Sequence, residues 1–337
     1  MKIAVVGAGV SGSYLTALLR NSGVNVEVYE KEPERRGHYC AWGSHYTLLK
    51  TKLSKIGLNV DDYVLTRVKQ VYVNGVKIKL GNSVIIDKPR MLRDMVKDSE
   101  LFMRNVDIQS MVGERHDLDI IVNATNTPIR QPTVIIHTTQ SKSILDGAEP
   151  HTAYVLFDVE RIGYGWVFPL DDEGKLFHIG AGCLKSSWDA SMLMLDTLSR
   201  YNLYIVKHSC ICGRALNVFK TAPKACDGRV VNIGESVGAV NPITGEGILT
   251  SMDTAEALAE SIKTHGGDVS KVVESYTDRI ASMISEHVKA YGLLEKVKKH
   301  RRLGMLMLMN YMLKRSRDRS MPRLSPTSIP RLLRALM

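Results

Sequence analysis

The sequence predicts an α/β protein: a βαβ-type first domain, an inserted and mostly antiparallel β-sheet domain, and a helical C-terminus. Three observations carry this reading. A glycine-rich turn, Gly7 to Gly12, joins a short apolar run to a helical one near the N-terminus. A second glycine-rich stretch, Gly234 to Ile248, lies far downstream and again separates an apolar run from a helical pattern. Between them, residues from about 132 to 235 are mostly strand-like, with alternation in Tyr154–Val159 and Leu176–Ile179.

The elements follow in order. Residues 3–6 and 24–30 read as strands around a helix from Ser11 to Ser22. The stretch 36–57 reads as irregular to helical, and it carries the cluster His38-Tyr39-Cys40-Ala41-Trp42-Gly43. Lys69–Val73 and Val76–Leu80 flank Asn74-Gly75, a dipeptide that favours a type I′ hairpin turn. Ser83–Asp87 reads as a further strand, and Pro89–Lys97 as a helix with proline near its first position. The stretch from Lys97 to Asp119 looks abbreviated. Asp119–Asn123 reads as a buried strand that stops at Ala124-Thr125-Asn126. A helix is expected over Ser187–Arg200, a last strand over Arg229–Ile233, and helices over Gly245–Thr264 and about 269–300. The implied domains are 1–65 with 84–131 and 226–265, then 66–83 with 132–225, then a helical basic segment, 266–337.

Composition narrows the class. Of 337 residues 44% are apolar and 24% charged, as in soluble globular proteins. No apolar run is long enough to span a bilayer, and Met1-Lys2 runs straight into a strand with no signal-peptide pattern. The five cysteines, Cys40, Cys183, Cys210, Cys212 and Cys226, have neither metal-ligand spacing nor a redox pair, so no metal is expected and a reduced, cytoplasmic setting is the simplest reading. The net charge of +10 is concentrated in 289–337, where 13 Lys or Arg face only Glu295 and Asp318. The rest of the chain is near neutral, which argues against nucleic acid as a partner.

The glycine motifs carry the chemistry. Gly7-Ala8-Gly9-Val10-Ser11-Gly12 fits G-x-G-x-x-G between a strand and a helix. The first glycine allows the turn, the second lets a pyrophosphate approach the backbone, and the third lets helix and strand pack closely. The free N–H groups at the helix start favour phosphate. Glu30 ends the second strand where a carboxylate can accept from a ribose diol, with Lys31 beside it. In the downstream stretch Gly234, Glu235, Pro242, Gly245, Gly247 and Ile248 precede a second helix start. A second cradle suits FAD: one helix end faces the pyrophosphate, and the other stabilises negative charge on the reduced ring.

Together these residues resemble the glutathione-reductase-like FAD superfamily, in its p-hydroxybenzoate hydroxylase-like branch. The resemblance implies a Rossmann-type FAD-binding domain, with Glu235 standing where the branch usually has the aspartate that binds the ribityl chain. It places Arg90, in Asp87-Lys88-Pro89-Arg90-Met91-Leu92, near the flavin, and Ala124 and Thr125 at the family's strand stop. Tyr164-Gly165-Trp166-Val167-Phe168-Pro169 is similar to the Y-x-W-x-F-P motif of the geranylgeranyl reductase family. Residues 164, 166 and 168 share one strand face, so their rings can form an apolar wall. With Trp42 and Pro169 they are the expected substrate contacts, and Cys40 falls where that family carries a C-G-G-type element beside the flavin. The resemblance covers about residues 1–265 and implies reduction of C=C bonds in an isoprenoid lipid, with Cys40, Tyr39 or His45 as proton donor. A flavin monooxygenase or halogenase, and a non-catalytic electron-transfer or lipid-binding flavoprotein, stay open as alternatives. The electron donor is expected to be external, NAD(P)H or an electron-carrier protein. In the basic tail, Leu303–Leu313 is an apolar run between cationic flanks, the pattern of peripheral contact with the inner membrane surface.

Overall fold

A computed structural model of the chain describes residues 1–32, 40–128, 131, 133–300, 303, 304, 306–308, 310, 311, 314 and 331. Tyr39 and the tail beyond Pro322 therefore lie outside the described residues, apart from Arg331.

β1 (Lys2–Val6) pairs in parallel with β2 (Asn25–Tyr29) on one side and β7 (Ile120–Asn123) on the other. The sheet extends to β6 (Glu100–Phe102) beyond β2, and to β14 (Val230–Asn232) and the antiparallel β13 (Cys226–Asp227) beyond β7. Both faces are covered, so the central strands read as apolar runs, 3–6 in β1 and 120–122 in β7, rather than alternating. Ile3 and Val5 face the main core under the helices, while Ala4 and Val6 face a second cluster with Met111 and Leu118. The chain leaves β1 in one direction and returns in the other, which makes the carboxyl ends of β1 and β7 a topological switch point.

The helices on the main-core side are α1 (Val10–Leu19), α3 (Lys88–Val96), α6 (Ile248–His265) and α7 (Val269–Lys299), with α1 packed on α3 and α6, and α6 on α7. β6 and α4 (Ile108–Glu114) occupy the stretch expected to be abbreviated. Both are short and carry little apolar periodicity, which is why the sequence does not announce them.

The second sheet has eight strands in the order β12-β8-β11-β10-β9-β4-β5-β3. These are β3 (Gly43–His45), β4 (Val64–Val73), β5 (Val76–Ile86), β8 (Val134–Asp146), β9 (Thr152–Asp158), β10 (Gly163–Pro169), β11 (Leu176–Cys183) and β12 (Tyr204–Val218). The Asn74-Gly75 turn joins β4 to β5 as expected, with both residues at positive φ. Ser83–Asp87 is not a separate strand: β5 runs on to Ile86, and register shifts in the β4–β5 pairing absorb the break in alternation. α5 (Ser187–Arg200) covers one face of this sheet through Ala190, Leu193 and Leu198, packed on Val167, Phe177 and Ile179. The opposite face turns toward the first sheet. α2 (Tyr46–Ser54) follows β3 and packs on α6.

Candidate functional site: a cavity between two helix N-termini and a sheet face

The Gly7–Gly12 turn has the division of labour that the motif predicts. Gly7 has φ +103°, and a Cβ there would press on the Ala124 carbonyl. A Cβ on Gly12 would strike the Gly7 carbonyl, so this glycine sets the strand–helix approach. A Cβ on Gly9 would meet nothing within 4 Å, and Gly9 lines the cavity. The backbone is thus bare where a phosphate group would come close.

Helix capping points to the same place. α2, α3, α4, α5 and α7 each have a side-chain N-cap, supplied by His45, Asp87, Asp107, Ser186 and Asp268. α1 and α6 begin at Gly9 and Gly247 with no side-chain cap hydrogen bond. Both of these N-termini border one cavity of about 1300 Å3, lined by Gly9, Val10 and Ser11 at one helix and by Gly245, Glu246, Gly247 and Ile248 at the other. Uncapped helix starts leave N–H donors and a partial positive charge for a ligand. Drug-sized sites measure roughly 300–1000 Å3, so this one has room for a dinucleotide and a further molecule.

The other wall is the inner face of the second sheet. Tyr164, Trp166 and Phe168 all line the cavity, and Val167 between them faces α5, so the predicted alternation holds. The Tyr164 and Trp166 rings lie 5.8 Å apart. Gly180 and Gly182 on β11 keep the neighbouring surface low, and a Cβ on Gly180 would run into the Trp166 indole. Tyr164 also ties the two walls together: its hydroxyl donates to the Thr244 carbonyl at 2.7 Å, under the Gly245 turn. Burial pushes this phenol far above its ordinary pKa. Beyond the aromatic rings the lining is aliphatic, with Val68, Val71, Ile78 and Val155 from β4, β5 and β9.

A polar corner interrupts this wall. Glu235 accepts from Arg214 Nη2 at 3.0 Å and from the Asn217 N–H at 3.0 Å. Burial raises its pKa, and the opposing pull of Arg214 is smaller. Lys88 is buried beside it, and loss of solvation lowers its pKa. Lys88, Arg214 and Gln140 all line the cavity. No spacing in the sequence announces Arg214 or Gln140, because β12 and β8 join the site only through sheet pairing. Lys88 was within reach, two residues before the arginine that the motif singles out.

Several expected contacts lie elsewhere. Arg90 is outside the cavity: Asp87 caps α3, and the Arg90 guanidinium turns outward to the Asp62 carbonyl and the Tyr63 ring. Helical geometry sends Lys88 inward and Arg90 outward. Trp42, at φ +62°, is buried off the cavity against His178, with Lys142 Nζ 4.0 Å from its ring centre. Pro169 is buried behind the wall, and Lys31 is exposed beside Glu32. Glu30 stands at the turn, where its carboxylate accepts from the Ala8 and Glu32 N–H groups at 2.8 and 2.9 Å. Gly7, Gly12 and Gly234 shape the turns from behind the lining, and Ala124, Thr125, Glu235 and Pro242 line it. Cys40 is on the wall at φ +116°, with its N–H donating to Gln140 Oε1 at 3.1 Å and its Sγ accepting from the Trp42 N–H. His45 also lines the cavity, but its Nδ1 accepts the Leu48 N–H and burial lowers its pKa.

Known proteins extend this picture. The profile of NAD(P)-binding Rossmann-like domains matches residues 5–42. An uncharacterized protein of Methanocaldococcus jannaschii is 22% identical over 335 aligned residues, covering 85% of this chain and 89% of that one. A geranylgeranyl bacteriochlorophyll reductase-like protein of Thermoplasma acidophilum superposes with a TM-score of 0.71 at 14% identity, covering 98% of this chain and 95% of the other. The flavin-dependent brominase Bmp2 superposes with a TM-score of 0.65 at 14% identity, covering 100% of this chain and 93% of its own. By these superpositions the chain has the fold of a geranylgeranyl reductase-like protein and of a flavin-dependent halogenase, with the Rossmann-type first domain that its glycine motif implies.

Proposed function

We propose that this chain is an FAD-dependent oxidoreductase that reduces carbon–carbon double bonds of an isoprenoid lipid. One observation carries the proposal: a single cavity joins two uncapped helix N-termini to a long aliphatic and aromatic sheet face. The N–H groups at the start of α1, with Glu30 at the turn, would hold the pyrophosphate and ribose. The start of α6, with Gly245 and Gly247, would hold the ring system, and Lys88 and Glu235 its polar linker. When bound there, FAD supplies a hydride that no side chain can supply.

The chain's own residues do the remaining work. Tyr164, Trp166 and Phe168 exclude water from an alkene that offers no polar handle. Tyr164 also fixes the Gly245 loop through Thr244, so wall and cradle keep their spacing. Protonation of the second alkene carbon falls to the Cys40 thiol, which lies on the wall and is held by backbone hydrogen bonds. His45 carries an extra proton less readily, because burial favours its neutral form. Reducing equivalents come from outside, from NAD(P)H or an electron-carrier protein. Gly180-Ala181-Gly182, a further G-x-G, is inside β11 and opens no helix.

The test is anaerobic photoreduction of the purified flavoprotein, followed by reoxidation with a panel of prenyl lipids. Reoxidation with stoichiometric loss of double bonds supports the reading. If no prenyl compound reoxidises the flavin while oxygen does so with oxidation of an aromatic compound, the monooxygenase or halogenase alternative replaces it.

A further inference from the structure

We infer that the exposed end of α7 and the described helical residues that follow it form a docking surface for an anionic lipid bilayer. After Lys299 the chain reverses, with the Gly304 N–H donating to the His300 carbonyl at 2.8 Å. Gly304 then lies directly against the backbone of Lys296 and Val297, an approach that no larger residue permits. Residues 303, 304, 306–308, 310 and 311 are helical and fold back along α7.

The two sides of this returning segment differ sharply. Gly304, Leu308 and Tyr311 face inward: Leu308 is 8% exposed and lines the cavity with Leu294 and Val297. Tyr311 is tied to the cofactor loop, since Asn241 Nδ2 donates to its hydroxyl at 2.8 Å. Leu303 and Leu306 face outward and are 57% and 52% exposed. They are one helical turn apart, so they form a single apolar spot.

Charge identifies the occupant. Lys296, Lys298 and Lys299 are exposed in the last turn of α7, and Arg301 and Arg302 follow in the sequence. Lys314 is exposed at the far end, followed by Arg315 and Arg317. The acids beside this set in the sequence are Glu295, to which the Tyr291 hydroxyl donates, and Asp318. Two exposed leucines, with the exposed Lys296, Lys298 and Lys299 before them in the chain and the exposed Lys314 after them, suit a surface of anionic headgroups over acyl chains, where each Lys strengthens binding and the leucines enter the boundary. A second copy of this chain would have to bring the same lysines against themselves. No described helix is long and apolar enough to cross a membrane. The surface is therefore interfacial, and it backs directly onto the cavity wall at Leu308.

The inference does not depend on the reductase reading, and its test is kept separate. The full-length flavoprotein is floated with fluid dimyristoyl-phosphatidylglycerol vesicles and with dimyristoyl-phosphatidylcholine vesicles, whose saturated chains offer nothing to reduce. Binding is expected to phosphatidylglycerol only, and to weaken as salt rises from about 0.1 to 0.5 M. The variants Leu303→Asp/Leu306→Asp and Lys296→Glu/Lys298→Glu/Lys299→Glu are expected to keep flavin content and melting temperature while vesicle partition falls about tenfold or more. Equal binding to both lipids, no binding at all, or unchanged partition in both variants overturns the proposal. So does a dimer that the leucine variant splits without altering vesicle binding, since the spot would then be a self-association surface. Should a variant misfold, the lipid preference and salt dependence of the unaltered chain decide the matter.

Discussion

Single residues at the glycine turn separate folding from binding. Gly9 begins α1 at φ −73° and ψ −165°, a conformation valine adopts readily, and its missing Cβ faces open space. Gly9→Val should therefore fold with a melting temperature close to that of the parent, yet lose FAD, with the flavin-to-protein ratio down about tenfold or more by absorbance, because its branched side chain fills the phosphate position. A variant that purifies fully yellow would remove this turn from the cofactor site. A second residue-scale prediction concerns Glu27 on β2. Burial alone would raise its pKa, but hydrogen bonds from Arg115, Tyr29 and Lys2 outweigh it and hold the group at about 2. The unfolded value is about 4.3. Ionised Glu27 therefore stabilises the fold above that pH, and the contribution disappears as pH falls from about 4 toward 2. Melting temperatures of the parent and of Glu27→Gln should converge across that window and differ at pH 6. Curves that stay parallel would show that the ion-pair cluster contributes nothing.

At the scale of elements, the two faces of the eight-stranded sheet do different jobs. The face under α5 is pure core, and Leu193 there is fully buried. Leu193→Ala should destabilise by about 2–5 kcal/mol in urea unfolding. Flavin affinity should not change, because α5 and the cavity are on opposite faces. A parallel loss of flavin binding would show that the faces are coupled. Helices α1 and α6 make the complementary point. Their glycine starts give up the side-chain cap at a cost of only about a few tenths of a kcal/mol, and in return leave their N–H groups open to the cavity. Part of this was legible: both glycine stretches were placed at helix starts, and α5 matches its expected span. The contrast with the five capped helices was not legible, since a cap is a hydrogen bond and no residue type alone reveals it.

For the molecule as a whole, the cavity is the product of assembly. It takes the start of α1, the loop before α6, the inner face of the second sheet from β12 to β3, and Leu294 and Val297 of α7. Filling its aliphatic end should block a chain-like substrate while sparing the cofactor. Val155→Trp is expected to keep full flavin content but to lose most reoxidation by prenyl lipids in stopped-flow absorbance. Parent-like rates would mean that the substrate does not use this end of the cavity.

The sequence by itself determined whatever rests on neighbours along the chain. The Gly7–Gly12 turn, the Asn74-Gly75 hairpin and the shared face of Tyr164, Trp166 and Phe168 are local consequences of backbone sterics and strand period. Only the tertiary structure decided which polar groups meet the cavity. Trp42 was turned away from it by one positive φ, and Arg90 by its position on α3, two residues from Lys88. Arg214 and Gln140 were brought in by the β12–β8 and β8–β11 pairings. Side-chain direction and long-range pairing follow from packing of the whole chain, and no short motif encodes them.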